Sequence, residues 1–162
     1  MNHNLKEAFA LMEKNFSEEQ IYNAGPKDQK LINSLEIILK IKFPVSYKEF
    51  IEKIGMGGPD SLLISGIRTN MEQELASTGL GWSVLNDREN FNIPNHIIIL
   101  DEIGDGSSYA LDLSQMNAEN ECPVVIWPLN GYEDTPVLEV VAKDFGEFFL
   151  NMVKEEIAMK AS

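Results

Sequence analysis

Residues 43–58 read FPVSYKEFIEKIGMGG, and this segment contains one helix together with both of its boundaries. Phe43 precedes Pro44. The proline ring disfavours helical angles in the residue before it, so any earlier helix must end there. Ser46 and Glu49 have the spacing of a capping box, in which the serine side chain takes the amide three residues on and the glutamate reaches back. Tyr47, Phe50, Ile51 and Ile54 recur at helical intervals and mark the buried face of a short helix over 47–54. Gly55 stops that helix, and Gly57-Gly58-Pro59-Asp60 predicts a turn.

Towards the N-terminus the pattern stays helical. Leu5, Phe9 and Met12 share a face over residues ~4–15. After the break at Gly25-Pro26, Leu31, Leu35, Ile38 and Leu39 share a face over ~28–40, with Asp28 placed to cap that helix. Downstream the period changes. Leu62–Ile67 is predicted as the first strand, and residues ~69–78 and ~80–90 read as short helices or loop. The stretch 97–113, IIILDEIGDGSSYALDL, gives a β-branched run (Ile97–Leu100), a turn at Gly104-Asp105-Gly106, and alternating Tyr109, Leu111 and Leu113. Cys122–Trp127 and Val137–Val141 supply further strands, joined by short connections that imply antiparallel pairing. A last helix runs over ~143–159, with Phe145, Phe148, Phe149, Met152, Val153 and Ile157 on its apolar stripe. Segregated helices and strands of this order indicate an α+β fold: a mainly antiparallel sheet flanked by N-terminal helices and a C-terminal helix. The expected organisation is a single domain over 1–162, with its core at about 28–157.

Composition narrows the function. Hydrophobic residues make up 44% of the 162, enough for a core without metal or disulfide, and the single cysteine, Cys122, reads as a small buried apolar residue. The net charge of −13 is uneven. Residues 1–50 are neutral, with seven lysines and seven acids, whereas residues 101–162 hold three lysines and thirteen acids, a net of −10. Such a field repels nucleic acid and anionic membrane and speeds encounter with a basic protein, although solubility alone explains many acidic chains. The start lacks a signal-peptide pattern, and no run approaches the ~18 apolar residues of a membrane span, so the expected location is the cytoplasm.

Little in the chain suggests catalysis. His3 and His96 with Cys122 cannot supply a zinc site, and a Cys122–His96 catalytic pair has no local support. Gly55-Met56-Gly57-Gly58 follows a helix and lacks the Lys-Ser/Thr of a phosphate loop. No cofactor, no metal and no catalytic residue is expected. The remaining candidates are carboxylates: Asp101, Glu102 and Asp105 around one turn, Asp112 on the next strand, and Glu133 and Asp134 in another loop. Paired carboxylates serve glycoside hydrolysis or bind a hard cation, but the spacing lacks the ligands of an EF-hand loop. The preferred reading is a protein-binding surface, with Trp82, Tyr109, Trp127 and Tyr132 flanking the acidic loops. Anchoring a partner and packing the core are both open for Tyr109 and Trp127.

The helix pair around Phe43–Ile51, closed by the Gly55–Gly58 turn, resembles the SMI1/KNR4 (SUKH) family. Ile97–Gly106, Tyr109–Leu113, Pro123–Trp127 and Phe145–Leu150 agree with that family in order, over about residues 28–157. The strand Glu121–Val125 with Gly131–Thr135 after it looks like YobK-type bacterial immunity proteins; Pro128 departs from the acidic or polar residue more usual after the tryptophan. The resemblance implies an α+β fold and a role as an immunity protein, binding and neutralising a cognate polymorphic toxin, often a nuclease, without cofactor or catalytic residues. It also leaves room for a regulatory or scaffold interaction module. A carboxylate-dependent hydrolase is the remaining reading. The residues expected to meet the partner are Asp101, Glu102, Asp105, Asp112, Trp127, Tyr132, Glu133 and Asp134.

Overall fold

A computed structural model describes residues 1–128 and 137–162. Three helices come first: α1 (His3–Asn15), α2 (Gln29–Leu39) and α3 (Val45–Ile54), with a short strand β1 (Ile21–Asn23) between α1 and α2. Strand β2 (Gly57–Pro59) follows α3, and α4 (Gly79–Asn90) leads to a four-stranded antiparallel sheet. Its strands are β3 (Ile97–Glu102), β4 (Ser108–Asp112), β5 (Val124–Trp127) and β6 (Val140–Ala142), paired in sequence order. Helix α5 (Phe145–Ala161) closes the described chain. This is the expected α+β architecture.

Local chemistry explains most of the boundaries. The Asn2, Asp28 and Asp144 side chains accept hydrogen bonds from the amides of Leu5, Leu31 and Glu147, so α1, α2 and α5 each begin on a side-chain cap. Helix α2 ends with Lys40 in the left-handed region, and the buried Glu36 carboxylate accepts the Phe43 amide (2.7 Å), which fixes the Phe43-Pro44 step.

The expected capping box does not form. Helix α3 starts two residues early, at Val45 after Pro44, so Ser46 lies inside its first turn. Its cap comes from elsewhere in the chain: the buried Glu121 carboxylate accepts from the Ser46 hydroxyl (2.8 Å) and amide (3.2 Å), and the Asn120 carbonyl accepts the Val45 amide (2.9 Å). A carboxylate at a helix N-terminus meets both the free amides and the positive end of the dipole. Glu49, the other half of the expected box, accepts the Asn2 amide (3.0 Å) instead.

Two strand assignments also change. Gly57-Gly58-Pro59 is not a turn but β2, paired antiparallel with β1. A Cβ at Gly57 would stand 2.0 Å from the Tyr22 carbonyl oxygen at a φ of +134°, so only glycine lets the two backbones meet. Leu62–Ile67 alternates in burial but makes no strand. Its amides go to four different places: Leu62 to Pro59, Ile64 to Gly57, Ser65 to Leu100 and Ile67 to Gly55. Scattered partners cannot build a ladder.

The core lies between the helices and one sheet face. Phe9, Tyr47, Phe50, Phe145, Phe148 and Phe149 form linked ring contacts with centroids 5.0–6.4 Å apart, each pair worth roughly 0.5–1.5 kcal/mol beyond area burial. Tyr47 is fully buried and donates its hydroxyl to the Ser65 carbonyl (2.6 Å). Ile98, Leu100, Leu111 and Val124 face this core, while Ile97, Ala110 and Val125 face a second, smaller cluster with Ile99, Trp127 and Leu138 on the other side of the sheet. Cys122 is buried, as expected, and burial pushes its thiol up to about 12. Among the described residues no helix is long and apolar enough to cross a membrane.

Candidate functional site

The β3–β4 hairpin positions the acidic groups through one irregularity. Ile99 pairs with Ala110 and Asp101 pairs with Tyr109, so Leu100 is an extra residue with no partner across the ladder. Directly opposed residues point to the same face of a sheet, and one inserted residue reverses the facing of everything after it. Asp101 is therefore turned onto the helix-covered face beside Tyr109, whose ring packs against Phe148 of α5 with centroids 5.1 Å apart. The Leu100 carbonyl freed by the bulge accepts the Ser65 amide (3.0 Å).

This placement costs the carboxylate water. Burial is the largest cause that raises Asp101 to about 6; the Glu102 amide, donating to its Oδ1 at 3.0 Å, pulls the other way, and Glu102 and the Glu156 carboxylate of α5 push it up again. Glu156 is itself buried and accepts from the Ser61 hydroxyl (2.7 Å). The Tyr109 phenol is also raised, first by burial and then by Glu155, Asp101, Asp105 and Glu139. Carboxylates from the hairpin, from the segment before β6 and from α5 thus all raise one half-buried tyrosine. None of them is in an ion pair among the described residues, where Glu49 with the Met1 amino group (3.3 Å) is the pair present. We refer to this group as the acidic rim.

The other expected site residues divide. Glu102 and Asp105 are exposed, Glu102 at the closing pair of the hairpin with Ser108 and Asp105 in the turn. Asp105 accepts from the Ser107 amide (2.9 Å) and hydroxyl, which hold its carboxyl below the usual range. Asp112 does not belong with them. It is 4% exposed, and its oxygens are used by the Ser114 amide (3.1 Å), the Ser114 hydroxyl (2.6 Å) and the Gln115 amide group (3.2 Å), capping the turn after β4. Its position on a strand end next to a polar turn reads as exposed, but the chain folds back over it.

Trp127 pairs with Ser108 and lies on the face away from Tyr109 and Asp101, half-buried against the second cluster. Core packing is thus the part of its open reading that the structure supports. Trp82 is exposed on α4, which packs against α2. Tyr132, Glu133 and Asp134 lie outside the described residues.

Sequence reasoning missed Glu139, Glu155 and Glu156 because they join the rim only through the fold. One signal was legible. Glu156 falls three residues after Val153 on the apolar stripe of α5, and a carboxylate in a buried stripe calls for a polar partner, here Ser61. Among the described residues no group of three or more His, Cys, Asp or Glu side chains is placed to hold a metal ion.

A family model described as SMI1-KNR4 cell-wall (SUKH_5) matches residues 5–154. The match spans every described strand, α2 to α4 and most of α1 and α5, including the hairpin, the Glu121 cap and the β1–β2 pair. The chain belongs to the SMI1/KNR4 (SUKH) family.

Proposed function

We propose that this chain is an immunity protein: it binds a cognate polymorphic toxin and neutralises it as a stoichiometric complex in the cytoplasm, without catalysis of its own. Family membership is the ground for the class, since the family includes toxin-immunity proteins. The observation that carries the reading to a surface is the acidic rim: carboxylates from separate stretches of chain act on Asp101 and Tyr109, and none of them is in an ion pair among the described residues. Unpaired like charges destabilise a fold by mutual repulsion, and a partner of opposite sign relieves it. A nuclease domain has the required chemistry, because a phosphate-binding groove is basic. An acidic protein seated there blocks substrate, associates quickly and loses rate in salt.

The test is co-expression with the toxin domain encoded beside this chain. Growth should be rescued and the two proteins should co-purify; a toxic domain that is neither rescued nor retained sinks the proposal. The family description speaks of the cell wall, and that wording favours a second reading, a regulatory interaction module. Pull-down distinguishes the two, since a housekeeping partner and no neighbouring toxin supports the module.

A further inference from the structure

We propose that a surface cavity at the start of α2 is a binding site for a small organic carboxylate, held by the buried ammonium of Lys27 and the side-chain amide of Asn70. The site is built from other residues than the acidic rim and stands apart from the immunity reading.

The cavity measures about 510 Å³, an ordinary size for a small-molecule site, and Lys27 and Asn70 both line it. Lys27 is only 4% exposed. Its amide donates to the Glu52 carbonyl (3.2 Å), and its stem runs beneath Gly55, where a Cβ would stand 2.8 Å from Cε. The end of α3 thus fixes the side chain in place. The ammonium donates to the Ala24 carbonyl (3.0 Å) and to Asn70 Oδ1 (2.9 Å). Both acceptors are neutral, and Lys27 is in no ion pair among the described residues. Two such bonds tie the loops together but leave the charge unanswered. A buried charge is ordinarily paired, because neutral acceptors do not replace the hydration it has lost. Burial accordingly lowers the Lys27 pKa.

Unused donors show what is missing. One of the three ammonium N–H groups is left over. An ammonium can only donate, so the Asn70 oxygen must face it, and the Asn70 NH2 group is turned away from Lys27 with no acceptor among the described residues. Lys30 lines the same cavity and is likewise in no ion pair there. Two cations and a free amide call for a negatively charged acceptor. Asp28 and Glu72 also line the cavity, and their oxygens accept from the Leu31 amide (2.8 Å) and the Ser34 hydroxyl (2.7 Å). Their charge opposes a dianion such as phosphate more than a monoanion. Pro26 and Leu31 add apolar wall for a short hydrocarbon chain. A small carboxylate satisfies all of these conditions.

Butyrate is the probe, titrated into the native protein at pH 7 and constant ionic strength while backbone amide shifts are followed. Shifts should saturate and centre on Lys27, Lys30 and Asn70; no shift, or an unsaturating drift spread over the surface, overturns the site. Asn70→Asp keeps the oxygen that Lys27 needs and supplies an internal counter-charge. It should resist urea at least as well as the native protein and bind butyrate about tenfold more weakly or worse. Lys30→Gln, on the exposed wall, should weaken binding by about two- to fivefold. Undiminished binding in both variants overturns the assignment of these donors. Inorganic phosphate is run in parallel, and tighter binding of phosphate at the same amides overturns the carboxylate as the ligand class.

Discussion

Replacing Asp101 by asparagine should make the free protein more stable at neutral pH. The carboxyl moves from 3.8 to about 6 on folding, about two units, and each unit is about 1.4 kcal/mol. That sets a ceiling of about 3 kcal/mol, and relaxation of a partly hydrated side chain reduces the expected gain to about 1–2 kcal/mol. The sign follows from proton binding. Below pH 3.8 the group is protonated in both states and contributes nothing. Between there and about pH 6 the folded state holds the proton more tightly, so stability falls as pH rises, and above about pH 6 the penalty is complete. Urea unfolding at pH 7.5 should therefore give a higher midpoint for Asp101→Asn at unchanged slope, and the gap should narrow by pH 4.5. A variant less stable than the native protein, or a gain equal at both pH values, would refute the desolvation argument. Stability gained where binding is lost is the signature of a surface kept for a partner.

The other predictions concern the supports of the site. Glu121→Ala removes the acceptor for the Ser46 amide and hydroxyl and should cost about 2–4 kcal/mol in urea, against about 1 kcal/mol for Ser46→Ala, which leaves the amide contact in place. Gly57→Ala drives a Cβ to 2.0 Å from the Tyr22 carbonyl and should separate β1 from β2, read as lost amide protection at Tyr22 and a drop in Tm of several degrees. Cys122 should resist a thiol reagent at pH 8 in the native state and react at once in urea, since it is 1% exposed and its thiol is pushed up to about 12.

Much of the fold was legible because its signals are local. The apolar faces of α1, α2, α3 and α5, the Asp28 cap, the Gly55 stop and the Ile97–Leu100 and Tyr109–Leu111 strands all follow from spacing and from side chains a few residues apart. The errors came where a distant segment overrode the local rule. Ser46 and Glu49 have the right spacing for a capping box, yet Glu121 comes from 75 residues away and takes the serine. Gly57-Gly58 reads as a turn until β1 is laid against it. The rim was half legible: Asp101, Glu102 and Asp105 are adjacent in sequence, whereas Glu139, Glu155 and Glu156 arrive through β6 and α5. Nothing in the sequence located the bulge that aims Asp101, because Ile97–Leu100 is apolar on both faces and has no alternation for an inserted residue to break.

The central claim is that the acidity of the second half of the chain is a docking surface and not only a solubility device. Calorimetric titration with the proposed toxin partner, prepared as a catalytically inactive domain, tests it most directly. One variant carries Asp105→Lys and Glu155→Lys in the rim, and a control carries Glu7→Lys and Glu19→Lys, equally exposed and equal in net-charge change. The rim variant should lose affinity by about a hundredfold or more, the scale of about 1.4 kcal/mol per tenfold for two close charge pairs, while the control stays within about threefold of native. Equal losses in both variants, or no loss in either, would contradict the account.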